Sequence, residues 1–301
     1  MLVGLERILL TIRATEDTIN STIISTTIEA VGAFLFLWVN ALVNLRSMDL
    51  TYRLAAFISR VYAFFGGYKT IRIGTHKVPK GGAVLAINHT SYVDFLYIGV
   101  ELKRTDRRVI RFMGKIELRK NPILRFIMWG CKVILVDRSL GHDAYVAAVE
   151  RLRDGELVGV YAEATVSRSF EIKALKTGAA RMSLESGAPI IPAIVWGSQR
   201  IATKGQPKAL GRTRTPVVVA VGPAIRPAGD AETLTRRLHD EMTTLLHQAQ
   251  EAYGSHPAGE FWVPARMGGG APTPSEADAM DLAEMDEKDR IRAKMRKKKR
   301  H

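Results

Sequence analysis

The stretch AVLAINHTSYVDF, Ala83 to Phe95, sets a histidine and an aspartate five positions apart where an apolar run gives way to a helical pattern. On a continuous helix of 3.6 residues per turn, His89 and Asp94 would not share a face. Across a strand-to-helix turn they can meet. With Ser91 as N-cap, Asp94 stands at the third helical position, and the turn before the cap folds His89 back toward the carboxylate. A carboxylate that accepts from one ring nitrogen fixes the tautomer and leaves the other nitrogen to take a proton. His89 therefore reads as a general base and Asp94 as its orienter. Ser91 to Asp94 is also a plain capping pattern, because an acid at that position favours a helix start by itself. The two readings are compatible. No competing nucleophile stands out: Ser91 is better read as a cap, a G-x-S-x-G elbow is missing, and Cys131 lies in an apolar run. The His and acidic residues lack ligand spacing, so no metal is expected; no cofactor is expected either. Helix-start amides after His89 are expected to face an oxyanion.

The elements that must position this pair begin after Gly66 and Gly67, where helical spacing changes to short apolar runs separated by turn residues. Strands are expected near Lys69 to Thr75, Ala83 to Asn88, Val109 to Met113, Lys132 to Val136, Leu157 to Tyr161, Ile190 to Trp196 and Val217 to Val221. Helices are expected at Tyr92 to Glu101, Ile116 to Trp129, Asp143 to Arg153, Lys173 to Ser186 and Thr233 to Tyr253, from apolar residues at three and four spacing. The fold class is α/β, with a mixed, largely parallel sheet flanked by helices. An internal repeat is not apparent.

Three regions follow: an N-terminal helical membrane-associating region over 1–67, a main domain over 68–253, and an irregular, charged tail over 254–301. The first stretch mixes Glu6, Arg7, Arg13, Glu16 and Asp17 before any long apolar run, so no cleaved leader is expected. Ala30 to Val43 is apolar but shorter than the roughly 20 residues a spanning helix needs. It reads as a helix lying in the interface or as a buried core helix. Tyr52 to Tyr68 is a second amphipathic stretch, with Phe57, Ile58, Phe64 and Phe65 against Arg53 and Arg60. Lys and Arg number 44 against 30 for Asp and Glu, a net charge of +14. Anionic partners fit that balance, whether membrane or nucleic acid. A basic band, Lys103, Arg104, Arg107, Arg108, Arg111, Arg119 and Lys120, reads equally as a phosphate-facing or a solvated surface. In the tail, acids from Glu276 to Glu287 precede a basic run from Lys294 to Arg300, which reads as a charged helix with a polybasic end or as a solvated tail.

NHTSYVD resembles the first motif of the 1-acyl-sn-glycerol-3-phosphate acyltransferase family, and three later blocks follow in family order. GCKVILVDR, Gly130 to Arg138, is similar to the second, EATVSRSFEIKALKTG, Glu163 to Gly178, to the third, and APIIPA, Ala188 to Ala193, to the fourth. Lys115 in MGKIEL matches a basic position, and the resemblance covers about Lys69 to Val221. One departure stands in the third block. The family commonly has Glu, Gly, Thr, Arg, whereas Glu163 is followed here by Ala164, Thr165 and Val166, with Arg168 two places beyond the usual arginine. Ser167, Arg168 and Ser169 supply donors suited to a phosphate, so Arg168 is expected to reach it from a longer turn. The alternatives are a subgroup that binds its acceptor differently, or a surface loop with an incidental arginine.

The resemblance implies direct transfer of a fatty acyl chain from an acyl thioester, on coenzyme A or acyl carrier protein, to a hydroxyl of lysophosphatidic acid. It places the work at the cytoplasmic face of an anionic membrane, with the protein monotopic or peripheral. His89 and Asp94 become catalytic. Arg138, Arg168 and Lys115 are expected at the acceptor phosphate, with Glu163 and Thr165 holding the basic side chains or the glycerol. Other readings are the same fold acting on another lipid or glycolipid hydroxyl, or a non-catalytic membrane or nucleic-acid binder. Nucleic acid is not expected, because the core lacks the aromatic interleaving of a single-strand binder.

Overall fold

The computed structural model describes residues 54, 57–58, 61, 64–74, 78–105, 108–137, 141–209 and 211–298. The expected helix at Ala30 to Val43, about half of Tyr52 to Tyr68, and Arg138 lie outside the described residues.

Seven strands form one sheet: β1 (Lys69–Gly74), β2 (Ala83–Ile87), β3 (Ile110–Lys115), β4 (Ile134–Val136), β5 (Leu157–Tyr161), β6 (Ile190–Trp196) and β7 (Pro216–Val221). Their order across the sheet is β1-β7-β6-β2-β5-β3-β4. All neighbours run parallel except β6 and β7. The expectation of a mixed, largely parallel sheet holds. Central strands carry apolar residues on both faces because both are covered. In β2, Val84 and Ala86 join one core while Ala83, Leu85 and Ile87 join the other, and β6 and β7 divide their side chains the same way.

The first core is capped by α3 (Gly141–Arg153), α4 (Gly178–Ser186) and α5 (Ala231–Tyr253), which contribute Ala148 and Leu152, Ala179 and Met182, and Leu234, Leu238, Met242 and Leu245. The opposite face packs on α1 (Asp94–Thr105) through Ile98 and Leu102. Both sets follow the three and four spacing that one buried helix stripe requires. No described helix is long and apolar enough to cross a membrane.

Two helix expectations need correction. Ile116 to Trp129 is not continuous. A 3-10 turn, Ile116–Lys120, ends at Asn121, and α2 (Pro122–Gly130) begins afresh. Pro122 has no N–H to offer the preceding turn but suits a first helical position, and Asn121 before it is held extended at φ −83 and ψ 122. Lys173 to Thr177 is not helical either, since helix α4 starts only at Gly178. Lys173 N donates to the Glu163 carboxyl and Lys176 N to the Ala162 carbonyl, which draws this stretch along the preceding loop.

The tail divides. Residues 254–273 are mostly irregular, as expected, yet bury Trp262 and Val263 in the first core. A final helix, α6 (Pro274–Lys298), follows.

Candidate active site

The carboxyl ends of the parallel strands β2, β5 and β3 converge on one edge of the sheet, where open α/β folds bind ligands. His89 follows β2, Glu163 follows β5, and Lys115 ends β3. Asn88 fixes the exit from β2. Its side-chain amide donates to Val195 O at 3.1 Å and its Oδ1 accepts from Val195 N at 2.8 Å, extending the pairing with β6 by a side chain.

His89 and Asp94 meet across the turn. Nδ1 of His89 lies 3.4 Å from Asp94 Oδ2, at the long end of hydrogen-bond range. The same oxygen accepts from Thr90 N at 3.0 Å and Ser91 N at 2.8 Å. Ser91 Oγ accepts from Val93 N at 3.2 Å. The Ser91 and Asp94 side chains thus both cap the helix start, and the same buried carboxylate faces the His89 ring. The other oxygen, Oδ1, accepts from the buried Ser198 hydroxyl at 2.6 Å. Ser198 is delivered by Gly197, whose φ of 97 favours glycine and where a Cβ would stand 2.4 Å from Pro216 O. The His89 ring stacks on Tyr161 at 4.0 Å between centroids, and its side chain is 18% exposed. With Nδ1 turned to the carboxylate, Nε2 is left to exchange a proton.

Behind the imidazole, Glu163 braces the backbone. Its Oε1 accepts from His89 N at 2.9 Å and its Oε2 from Lys173 N at 3.3 Å. Ser167 N completes the clasp by donating to His89 O at 2.7 Å. Burial pushes the Glu163 carboxyl up to about 8, against the two backbone donors and Lys173, which pull it down, and with a smaller upward push from Asp94.

The oxyanion expectation does not survive. The amides of Thr90 and Ser91 are committed to Asp94, that of Tyr92 to Ala202 O and that of Val93 to Ser91 Oγ, so the helix-start donors turn inward.

Arg168 stands on the loop that clasps His89 and is 14% exposed. Its Nε donates to Asp281 at 3.2 Å and its Nη2 to Glu284 at 2.9 Å, both on α6. Thr165 Oγ1 accepts from Lys173 Nζ at 3.4 Å. Lys115 is exposed on the same sheet edge, two strands from β2, or about 10 Å at the usual strand spacing. The structure thus groups His89, Asp94, Glu163, Thr165 and Arg168 in one bonded network and places Lys115 farther along the edge. In the basic band, Arg108 and Arg111 are structural. Arg108 donates to the carbonyls of Pro79, Gly81 and Gly155. Arg111 forms a two-pronged pair with Glu156, both contacts at 3.1 Å.

Ser198, Lys173 and Lys204 were not legible as site residues. Lys204 belongs here because the segment before it is tied to the turn: Thr203 Oγ1 donates to Thr90 O at 2.7 Å, and Ser91 Oγ to Ala202 O at 2.7 Å.

Residues 70–196 match a family model described as Acyltransferase. An uncharacterized acyltransferase of Schizosaccharomyces pombe is 36% identical over 118 residues, 36% of this chain and 40% of that protein. A 1-acyl-sn-glycerol-3-phosphate acyltransferase of Borreliella burgdorferi is 24% identical over 152 residues, 48% of this chain and 58% of that protein. The chain spans about half the length of the curated relatives it matches. The crystal structure of the 1-acyl-sn-glycerophosphate (LPA) acyltransferase PlsC from Thermotoga maritima superposes with a TM-score of 0.54 at 18% identity, covering 75% of this chain and 90% of that one. At that identity the likeness is one of fold.

Proposed function

We propose, from the match of residues 70–196 to an acyltransferase family model and from the likeness to 1-acyl-sn-glycerol-3-phosphate acyltransferases, that this chain moves a fatty acyl group from a thioester to the hydroxyl of lysophosphatidic acid. The observation that carries the reading is the joining of a base to cations. His89 faces Asp94 at 3.4 Å, and the loop whose Ser167 N–H holds the His89 carbonyl also bears Arg168.

In this scheme the acceptor hydroxyl gives its proton to His89 Nε2 as its oxygen bonds to the thioester carbonyl carbon. Asp94 supports the imidazolium that forms. The tetrahedral centre then expels the thiolate as the C–S bond breaks. The thiolate takes the proton back from His89, which returns neutral, so the enzyme itself carries no acyl group. Arg168 holds the acceptor phosphate, as a guanidinium suits a phosphate oxygen pair. Arg138 and Lys115 are further phosphate ligands in this reading, and the donor is acyl-CoA or acyl carrier protein. Work at the cytoplasmic surface of an anionic membrane is supported by exposed Phe57, Ile58, Phe64 and Phe65 and by the net charge of +14.

An acceptor panel tests the reading. Purified protein with palmitoyl or oleoyl thioester should acylate lysophosphatidic acid far faster than monoacylglycerol, which lacks the phosphate, or a glycolipid alcohol. Equal rates with monoacylglycerol would overturn the phosphate-bearing acceptor, and a glycolipid preference would favour the same fold acting on another hydroxyl.

A further inference from the structure

The acidic half of α6 sits on Arg168, the cation that the acyl-transfer reading gives to the acceptor phosphate. Asp281 Oδ1 accepts from Arg168 Nε at 3.2 Å and from Lys204 Nζ at 2.7 Å, and its Oδ2 accepts from Lys173 Nζ at 2.5 Å. Glu284 Oε2 accepts from Arg168 Nη2 at 2.9 Å and stands 2.6 Å from Lys204 Nζ. Asp278, more exposed, lies 3.6 Å from Lys173 Nζ. Asp281 and Glu284 are three residues apart on one helix and so share a face. Arg168, Lys173 and Lys204 therefore converge on a pair of carboxylates, an arrangement that serves equally for a phosphate monoester dianion. Each cation is carried by a segment bonded to the His89 turn: Arg168 follows Ser167, the Lys173 amide is on Glu163, and Lys204 follows Thr203. Gly205 allows the approach, since at φ 76 a Cβ there would stand 2.9 Å from Arg168 Nη1.

What holds α6 down is chiefly this charge cluster. Ala277 is buried, but Met280, Leu282 and Met285 are 45%, 63% and 60% exposed. A helix docked through ion pairs is one that another anion can displace. Burial alone would lower the Lys204 ammonium, and its bonds to Asp281 and Glu284 more than offset that, leaving it raised. The basic run beyond Lys294 on the same chain end is suited to an anionic bilayer, which gives the displaced helix somewhere to go.

We propose that Arg168, Lys173 and Lys204 form a phosphate-monoester site and that α6 is its internal competitor, seating Asp281 and Glu284 in the site until the helix lifts. The identity of the ligand as the acceptor lipid rests on the acyl-transfer reading; the site and its occupant do not. The apparent acceptor affinity is then the intrinsic affinity multiplied by the fraction of time the helix is lifted, and weakening the helix contact raises it.

The test uses the full chain, the variant Asp281→Asn/Glu284→Gln, and the charge-matched control Asp286→Asn/Glu287→Gln on exposed positions. Hydrogen exchange of the α6 amides is followed with soluble glycerol 3-phosphate, with neutral vesicles carrying lysophosphatidic acid, and with the same vesicles alone. Both phosphate arms should speed exchange in α6. Asp281→Asn/Glu284→Gln should bind glycerol 3-phosphate roughly threefold tighter or more and lower the acceptor KM equally at unchanged kcat, while the control does neither. Exchange unmoved by either phosphate arm overturns the proposal, as does a response to plain vesicles without one to glycerol 3-phosphate. Active acyl transfer with an unmoved α6 sinks this proposal alone. Phosphate-driven release of α6 in a chain that transfers no acyl group sinks the acyl-transfer reading alone. Should Asp281→Asn/Glu284→Gln fail to fold, the exchange response of the unsubstituted chain decides.

Discussion

Glu163 gives the sharpest internal test, because its two oxygens hold two backbone amides and its proton is held by burial. Glu163→Ala strands the N–H groups of His89 and Lys173, bonded at 2.9 Å and 3.3 Å. At about 1 to 3 kcal/mol for each unsatisfied buried donor, the loss is roughly 2 to 6 kcal/mol. That is a large part of a typical domain stability of about 5 to 15 kcal/mol. Urea unfolding measures it. The same substitution frees the His89 backbone, so kcat should fall about tenfold or more while the acceptor KM moves little. Glu163→Gln keeps the shape and removes the ionisation at the cost of one of the two acceptors, so the slope of stability with pH, rather than its absolute level, isolates the pH effect. Between the ordinary value of 4.5 and about 8, the folded chain keeps a proton on Glu163 that the unfolded chain has lost. Unfolding then releases a proton, and stability falls as pH rises, by at most about 1.4 kcal/mol per pH unit. Across the window the contribution is on the order of 5 kcal/mol, complete below pH 4.5 and lost as pH climbs through 8. The stability of Glu163→Gln should lack this decline. Parallel stability curves for the two proteins between pH 5 and pH 8 would refute the buried-proton argument, and a raised acceptor KM with intact kcat in Glu163→Ala would return Glu163 to the acceptor-holding role that the sequence suggested.

Three further outcomes follow from the geometry. Ser198→Ala removes the 2.6 Å donor to Asp94 Oδ1 and should cost about 1.5 to 3 kcal/mol in urea unfolding, with kcat reduced about tenfold; unchanged kcat would mean that Asp94 does not need Ser198 to stay in place. Arg168→Ala should raise the acceptor KM about tenfold or more at nearly constant kcat, and unchanged kinetics would transfer the phosphate to another cation. Arg108→Ala should destabilise the fold by about 1 kcal/mol by removing its bonds to the largely solvent-accessible Pro79, Gly81 and Gly155 carbonyls, and should leave vesicle binding unaltered in a sedimentation assay.

The strands were readable because a strand buried on both faces is a short apolar run, and AVLAI in β2 or IIPAIVW in β6 cannot be mistaken for a solvated segment. The misread segment, Lys173 to Thr177, had Ala174 and Leu175 at a helical spacing, but tertiary bonds to Glu163 and Ala162 outweighed that weak local preference. His89 and Asp94 were found from local sequence because both belong to a single turn. Ser198 was beyond reach. It lies 104 residues from Asp94, and nothing in a Gly-Ser pair after a strand says which carboxylate it will meet. Asp278, Asp281 and Glu284 could be placed on one face of a charged helix from spacing alone, whereas the cations that they face come from two separate loops. Distant pairings of this kind are set by the fold, and the proposed phosphate site is built largely of them.

Turnover of His89→Ala in acyl transfer to lysophosphatidic acid, measured beside its thermal unfolding, reaches the central claim most directly. A general base contributes about 100- to 10,000-fold, so kcat should drop by at least two orders of magnitude in a protein that melts near the parent temperature. A folded His89→Ala protein retaining more than about a tenth of parental kcat would contradict the assignment of that imidazole as the base.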